Sequence, residues 1–173
     1  MKSLSGLWGS IGELLSPPLN GVHDKVFSSG DKYSGAFVNG LREGFGIYVG
    51  THFRYEGEWL HDKRHGRGRQ EFLREKVCKK GKRKVVSAGV YDGEWALDKK
   101  HGTGRFEYEN GDSYFGEWHG GAKHGHGSYV FRNGDRFDGE FKENMMHGKG
   151  IFLEGKTKDQ IIGAPMQCEP RGY

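Results

Sequence analysis

Residues 91–112 read YDGEWALDKKHGTGRFEYENGD, and residues 114–135 read YFGEWHGGAKHGHGSYVFRNGD. Laid over one another they share an aromatic, a Gly two residues on, Glu-Trp, a polar middle, His-Gly-x-Gly, two aromatics in alternation and Asn-Gly-Asp. A pattern of that length repeated in phase marks a repeat architecture. Aromatic, Gly and aromatic at i, i+2 and i+4 point to one side of a pleated chain, so Tyr91, Gly93 and Trp95 share a face. The same alternation puts Gly102, Gly104, Phe106 and Tyr108 on one face of the next strand, and Gly125, Gly127, Tyr129 and Phe131 likewise. Each unit therefore reads as a β-hairpin, with Asn-Gly turns at 110–111 and 133–134 leading into the next.

Outward from this pair the pattern starts at Tyr33, Tyr55, Tyr91, Tyr114 and Phe137, at spacings of 22, 36, 23 and 23 residues. The later G-x-G recurs at Gly44/Gly46, Gly66/Gly68, Gly102/Gly104, Gly125/Gly127 and Gly148/Gly150. These residues resemble the MORN-repeat family, whose pattern runs Y-x-G-E-W, a charged loop, H-G-x-G, and an aromatic strand ending in N-G-D. The resemblance covers about residues 31–155. It implies an all-β fold: an elongated, twisted, single-layer antiparallel sheet of tandem hairpins with a groove along it. Ala36 and Phe37 replace Glu and Trp in the first unit, the second unit is interrupted, and no full unit follows the fifth. Atypical terminal units are expected of caps.

Composition agrees with one thin layer. Gly supplies 31 of 173 residues, hydrophobic types 34%, aromatics 13% and Pro only 4 residues, which is neither disordered low complexity nor an ordinary globule. Gly weakens a strand interior, so glycines held in phase are expected to make room for a neighbouring ring to lie on bare backbone. Cys78 and Cys168 match neither a disulfide framework nor a zinc spacing and read as free thiols in a reducing compartment. No run of 18 apolar residues and no secretory leader is read in the chain.

Three segments lie outside the pattern. In residues 1–18, Leu4, Leu7, Trp8, Ile11, Leu14 and Leu15 fall on one helical stripe closed by Pro17 and Pro18. They predict a short amphipathic helix, either a cap on the sheet or an anchor to a partner or a membrane surface through Leu7, Trp8 and Ile11. The array then occupies 19–155, with an insertion at about 73–86. Residues 74–84 carry seven Lys or Arg against one Glu, so that segment holds more than the chain's whole net charge of +4. An insertion in a repeat is expected to land in a loop. Its basic residues Lys76, Lys79, Lys80, Lys82, Arg83 and Lys84 read as a solvated run or as a contact to something acidic. No aromatic interleaves them, so base stacking is not signalled and nucleic acid ranks last among partners. Residues 156–173 predict an extended tail, packed along the last hairpin or ordered only in a complex.

The pattern offers little for catalysis. His65, His101, His124 and His147 each precede the first Gly of a G-x-G and mark a repeat position, not a metal site. Glu58, Glu94, Glu117 and Glu140 alternate away from the rings and read as a solvated acidic face, unlike a converging carboxylate pair. The Gly pairs lack the Lys and helix of a phosphate loop. The reading is a non-enzymatic chain with no cofactor and no metal, acting as a scaffold that binds a protein segment along its aromatic face. The expected anchors are Tyr55, Trp59, Tyr91, Trp95, Tyr114, Trp118, Phe137 and Phe141. The resemblance implies a cytoplasmic, cytoskeleton-associated setting, with a ciliary or flagellar axoneme the leading case and membrane-proximal junctions another. The alternative is a peripheral module for anionic lipid, phosphoinositides included. End-to-end homodimerisation through the terminal hairpins is left open.

Overall fold

In the computed structural model, described for residues 19–78, 81–155 and 160–163, the chain forms one open, twisted sheet of twelve strands in sequence order, every neighbour antiparallel. The expected all-β single layer is what forms. The first two strands, β1 (Gly21–Val26) and β2 (Lys32–Val38), lead into β3 (Leu41–Val49), and β4 (Phe53–Leu60) pairs with the long β5 (Lys63–Val77). β6 (Arg83–Ala96) and β7 (Lys99–Tyr108) are followed by β8 (Ser113–His119) and β9 (Ala122–Val130). β10 (Arg136–Lys142), β11 (Met145–Leu153) and a short β12 (Gln160–Gly163) complete the sheet. The predicted helix over 1–18, with Leu7, Trp8 and Ile11, lies outside the described residues.

A single row of glycines sets the register. Gly35, Gly46, Gly57, Gly68, Gly93, Gly104, Gly116, Gly127, Gly139, Gly150 and Gly163 stand opposite one another in unbroken succession from β2 to β12. Two pairs along, on the same face, the row is aromatic except at Gln70: Tyr33, Tyr48, Tyr55, Gln70, Tyr91, Phe106, Tyr114, Tyr129, Phe137 and Phe152. Rings from this row lie across the bare glycines. A Cβ on Gly104 would fall 2.3 Å from the Tyr91 hydroxyl oxygen, and one on Gly150 2.3 Å from Cζ of Phe137. The expectation that glycine makes room for rings therefore holds for this row.

It does not hold for the first Gly of each G-x-G, which was placed on the same face. Each hairpin slips register next to the glycine row, inserting two residues into the second strand opposite the Tyr-x-Gly-Glu-Trp segment. At this bulge Gly44, Gly66, Gly102, Gly125 and Gly148 take φ between +56° and +64°, a conformation that costs other residues about 1–2 kcal/mol. The bulge turns these glycines to the opposite face, where a Cβ on Gly66, Gly102 or Gly125 would meet the carboxylate of Glu58, Glu94 or Glu117 at 2.5 Å.

The repeated glutamates are corrected by the same geometry. They stand on the outer face, but they are part of the framework. The N–H left over at the bulge donates to the carboxylate: Arg67 to Glu58 at 2.8 Å, Thr103 to Glu94 at 3.0 Å and His126 to Glu117 at 2.8 Å. On the other face the Tyr55, Tyr91 and Tyr114 hydroxyls each donate to the carbonyl of the same glutamates at 2.9 Å. Trp59, Trp95 and Trp118 donate their indole N–H to the carbonyls of Gly46, Gly68 and Gly104, one unit back, at 3.0–3.2 Å.

Two-residue turns close the hairpins at Asn39-Gly40, His61-Asp62, Leu97-Asp98, Gly120-Gly121 and Glu143-Asn144, all ten residues at positive φ, as type I′ requires. These turns are tied to the preceding unit. The side chains of Asp62, Asp98 and Asn144 accept the backbone N–H of Arg42, Arg64 and Lys123 at 2.9–3.1 Å. In return the N–H of Asp62, Asp98, Gly121 and Asn144 donates to the carbonyl of Arg42, Arg64, Lys100 and Lys123.

The insertion is not a loop. β5 and β6 run on past their neighbours as a two-stranded ribbon, pairing Leu73 with Ser87, Arg74 with Val86, Glu75 with Val85, Lys76 with Lys84 and Val77 with Arg83. Val77 within the charge run and Val85 and Val86 just after it are β-branched and supply the strand propensity. At the two ends the pattern continues as half-units. β1 pairs His23 with Gly35 in the glycine row, and Ser29-Gly30-Asp31 stands where later units have Asn-Gly-Asp. β12 brings Ile161 beside Phe152 and Gly163 beside Gly150, so this part of the expected tail does pack along the last hairpin.

Candidate functional site: the aromatic face and its cations

The eight aromatics expected as exposed anchors make the core instead. Tyr55, Tyr91 and Tyr114 are 0% exposed, Trp59, Trp95 and Trp118 4%, Phe137 6% and Phe141 2%. A one-layer sheet can bury them because each ring is covered by others. Tyr91 meets Trp95 edge-on at 5.1 Å between centroids and Trp118 of the next unit at 5.2 Å, and Tyr55 meets Trp59 and Trp95 at 5.1 and 5.6 Å. Edge-to-face pairs at such distances add about 0.5–1.5 kcal/mol beyond burial. The rings left half-exposed on this face are a second set, including Tyr48, Phe53, Phe72, Tyr108, Tyr129 and Phe131.

Among them stands a feature missed in the sequence. The residue two before the first Gly of each G-x-G is Arg42, Arg64, Lys100, Lys123 and Met146 in turn. Four of these five rungs are cations, and each lies over rings. The Arg42 guanidinium carbon is 4.0 Å from the Trp59 centroid and that of Arg64 4.6 Å from Trp95. Lys100 Nζ is 4.3 Å from the Phe106 centroid and 4.4 Å from Trp118, and Lys123 Nζ is 4.7 Å from Tyr129 and 5.5 Å from Tyr114. A desolvated cation over a ring gains about 2 kcal/mol. The signal was there at a fixed offset, but in a charged turn it read as solvation.

The rungs differ in charge balance. Arg42 is paired with Asp62 at 2.9 Å and Arg64 with Asp98 at 2.8 Å, acids in the second turn position. At that position the units facing Lys100 and Lys123 carry Gly121 and Asn144. Among the described residues neither lysine's ammonium has an ion pair or a hydrogen bond. Burial, then repulsion from Lys123 and Arg64, pulls Lys100 down to about 8. Burial does the same for Lys123, also to about 8, against the pull of Asp112. Gln70, the one break in the aromatic row, is 3% exposed and accepts a hydrogen bond from Nη1 of Arg64.

The basic ribbon is the second charged feature. Lys76 and Lys84 stand directly opposite, a like-charge pair that costs stability, and Lys82, Arg83 and Lys84 are exposed. Among the described residues its one internal ion pair, Arg83 with Glu75 at 3.4 Å, is exposed, and Arg74 is held by Glu109 at the ribbon's base. Lys79 and Lys80 lie outside the described residues. The histidines of the repeat stay apart from this face. His124, His126 and His147 border an open hollow with Glu140, and among the described residues no three His, Cys, Asp or Glu are arranged to hold a metal ion.

No curated protein matches the chain. The family model of the MORN repeat matches it in five segments, 33–51, 55–72, 91–113, 114–136 and 137–153, whose starts coincide with the five aromatic starts of the pattern. MORN repeats are non-enzymatic modules for binding proteins or membrane lipids. With more than half of its residues matched, the chain belongs to the MORN-repeat family.

Proposed function

We propose that the protein is a non-catalytic scaffold that holds a segment of a protein partner along its aromatic face, as a component of a cytoskeletal assembly, the ciliary or flagellar axoneme first among settings. The observation that carries this reading is the face itself. Half-exposed rings and four cations lie in register across a sheet braced by turn-to-strand hydrogen bonds. A rigid surface of that kind loses little entropy when a partner docks. The contact residues are the half-exposed rings, since the eight buried aromatics cannot be replaced without opening the core. Proximity labelling in ciliated cells tests it, comparing the full chain with a Phe53→Ser/Phe131→Ser variant that melts like the parent. Labelling of axonemal proteins by the parent and its loss in the variant supports the reading. The same labelling from both sinks it.

A second reading, binding to anionic lipid, is favoured by one observation, the unrelieved Lys76–Lys84 pair on the exposed ribbon. Flotation with phosphatidylserine vesicles at low salt, with and without neutral residues at Lys76, Lys82, Arg83 and Lys84, decides it. Absence of flotation by the parent removes the lipid reading.

A further inference from the structure

The four cationic rungs share one scaffold and differ in one respect. Arg42 and Arg64 are neutralised from the next turn by Asp62 and Asp98, whereas Gly121 and Asn144 supply no acid there, and among the described residues Lys100 and Lys123 have no ion pair. Lys123 is 6% exposed, and its side chain sits among Tyr108, Tyr114, Tyr129 and Phe141. Asp112, whose charge acts on it, is already engaged by the Tyr129 hydroxyl at 2.7 Å and the Arg132 N–H at 2.8 Å. A buried ammonium with no partner is costly, and a carboxylate supplied from outside would remove that cost.

The spacing says how such carboxylates would be arranged. Lys100 on β7, Lys123 on β9 and Met146 on β11 lie two strands apart, so successive rungs are about 9.6 Å apart along the array. Residues i and i+7 of an α-helix are about 10.5 Å apart on one face. An extended peptide would find its backbone groups facing rings, without hydrogen-bond partners, while a helix satisfies its own. Lys123 is 6% exposed among its rings, so a ligand must insert a slim group to meet its ammonium, which favours a glutamate side chain over a headgroup phosphate held in a bilayer plane.

We propose that the aromatic face over β7 to β11 docks an acidic amphipathic helix of a protein partner. The helix lies across the strands, with carboxylates seven residues apart on Lys100 and Lys123 and an apolar residue a further turn pair along over Met146. This rests on the protein-docking reading above and specifies its ligand. The turn position acts as the selector: an acid there closes a rung, and Gly or Asn leaves it open.

The test uses the full chain and a fluorescein-labelled helical peptide of about 20 residues with two Glu seven apart on an otherwise Leu/Ala face, and its twin with Gln at both places. Anisotropy is expected to show the Glu peptide binding at least about tenfold more tightly than the twin, with the gap narrowing as salt rises. Lys100→Met/Lys123→Met, using the residue that already fills the fifth rung, is expected to abolish the preference. Gly121→Asp/Asn144→Asp, which keeps both lysines and supplies the acids that close the first two rungs, is expected to abolish it as well. Equal binding of the twins, a preference surviving in both variants, or binding of neither peptide overturns the proposal. Capture of phosphatidylserine vesicles that depends on Lys100 and Lys123, without any peptide preference, assigns the lysines to a membrane and overturns it too. If the twins bind equally and Phe53→Ser/Phe131→Ser releases both, the docking reading survives and only the acidic ligand falls.

Discussion

Replacing Gly104 with alanine should cost about 2–3 kcal/mol, and the figure follows from the ring that covers it. The new Cβ would lie 2.3 Å from Oη of Tyr91 and 2.6 Å from its Cζ and Cε2, where ordinary contact begins about an ångström farther out. The ring has nowhere to go. Trp95 and Trp118 abut it at 5.1 and 5.2 Å between centroids, and its hydroxyl is held by the Glu94 carbonyl at 2.9 Å. Overpacking contributes about 1–3 kcal/mol and a displaced hydroxyl about 1 kcal/mol. The lower entropy of an unfolded chain with alanine returns about 0.5–1 kcal/mol. Urea unfolding followed by tryptophan fluorescence measures the difference as a shift in midpoint at unchanged slope. Gly121→Ala is the control: nothing lies within 4 Å of its Cβ, and the positive φ alone costs about 1–2 kcal/mol. A Gly104→Ala protein no less stable than Gly121→Ala would refute the claim that the glycine row exists to seat the rings. Tyr91→Phe added to Gly104→Ala should restore less than half the loss, because the ring carbons remain too close.

Glu117→Ala removes the acceptor of the His126 N–H and should cost about 1–2 kcal/mol, with hydrogen exchange of that amide accelerated before its neighbours. Stability should rise with pH from about 8 to about 10, because Lys100 and Lys123, at about 8 when folded, shed the cost of a buried charge while the unfolded lysines stay protonated. Above about 10 it should fall, since burial holds the Tyr33, Tyr48 and Tyr108 hydroxyls up at about 12 while unfolded tyrosines ionise. A urea midpoint that falls steadily from pH 8 to pH 10 contradicts this. Lys76→Glu turns a repulsive cross-strand pair into an attractive one and should stabilise the ribbon by up to about 1 kcal/mol, read as slower amide exchange at Val77 and Arg83 and erased by high salt.

The repeat starts, the hairpins and the antiparallel order were legible because a period-2 pattern recurring at about 23 residues leaves few other ways to pair. Depth was not legible. Alternation puts Tyr91 and Trp95 on a face, but whether that face is wet depends on edge-to-face stacking between units, which no single unit encodes. The bulge was hidden as well. His-Gly-x-Gly looks like continuous alternation, yet the positive φ of Gly102 reverses the face, and only then do Glu94 and the Thr103 N–H meet. The ribbon was masked by charge, since seven cations in residues 74–84 outweighed three valines in the pattern. The rungs escaped notice because Arg42, Arg64, Lys100 and Lys123 share an offset and no single residue type.

The two sides of the array have unequal freedom to vary. On the type I′ side every turn is locked to the unit before it, so an added residue there would break a bond in its neighbour. The other side also has bonds between units, from the N–H of Leu73 to the His52 carbonyl and of Arg132 and Gly155 to Asp112 and Asp135. Yet β5 and β6 lengthen outward there while Gly68 and Gly93 stay opposite each other and the glycine row runs on undisturbed. That row serves as a datum line from which new material can grow in one direction without shifting anything behind it. The array is in this sense a chassis with one open rail: new appendages can be grafted along that rail, while the rungs on the face keep their spacing.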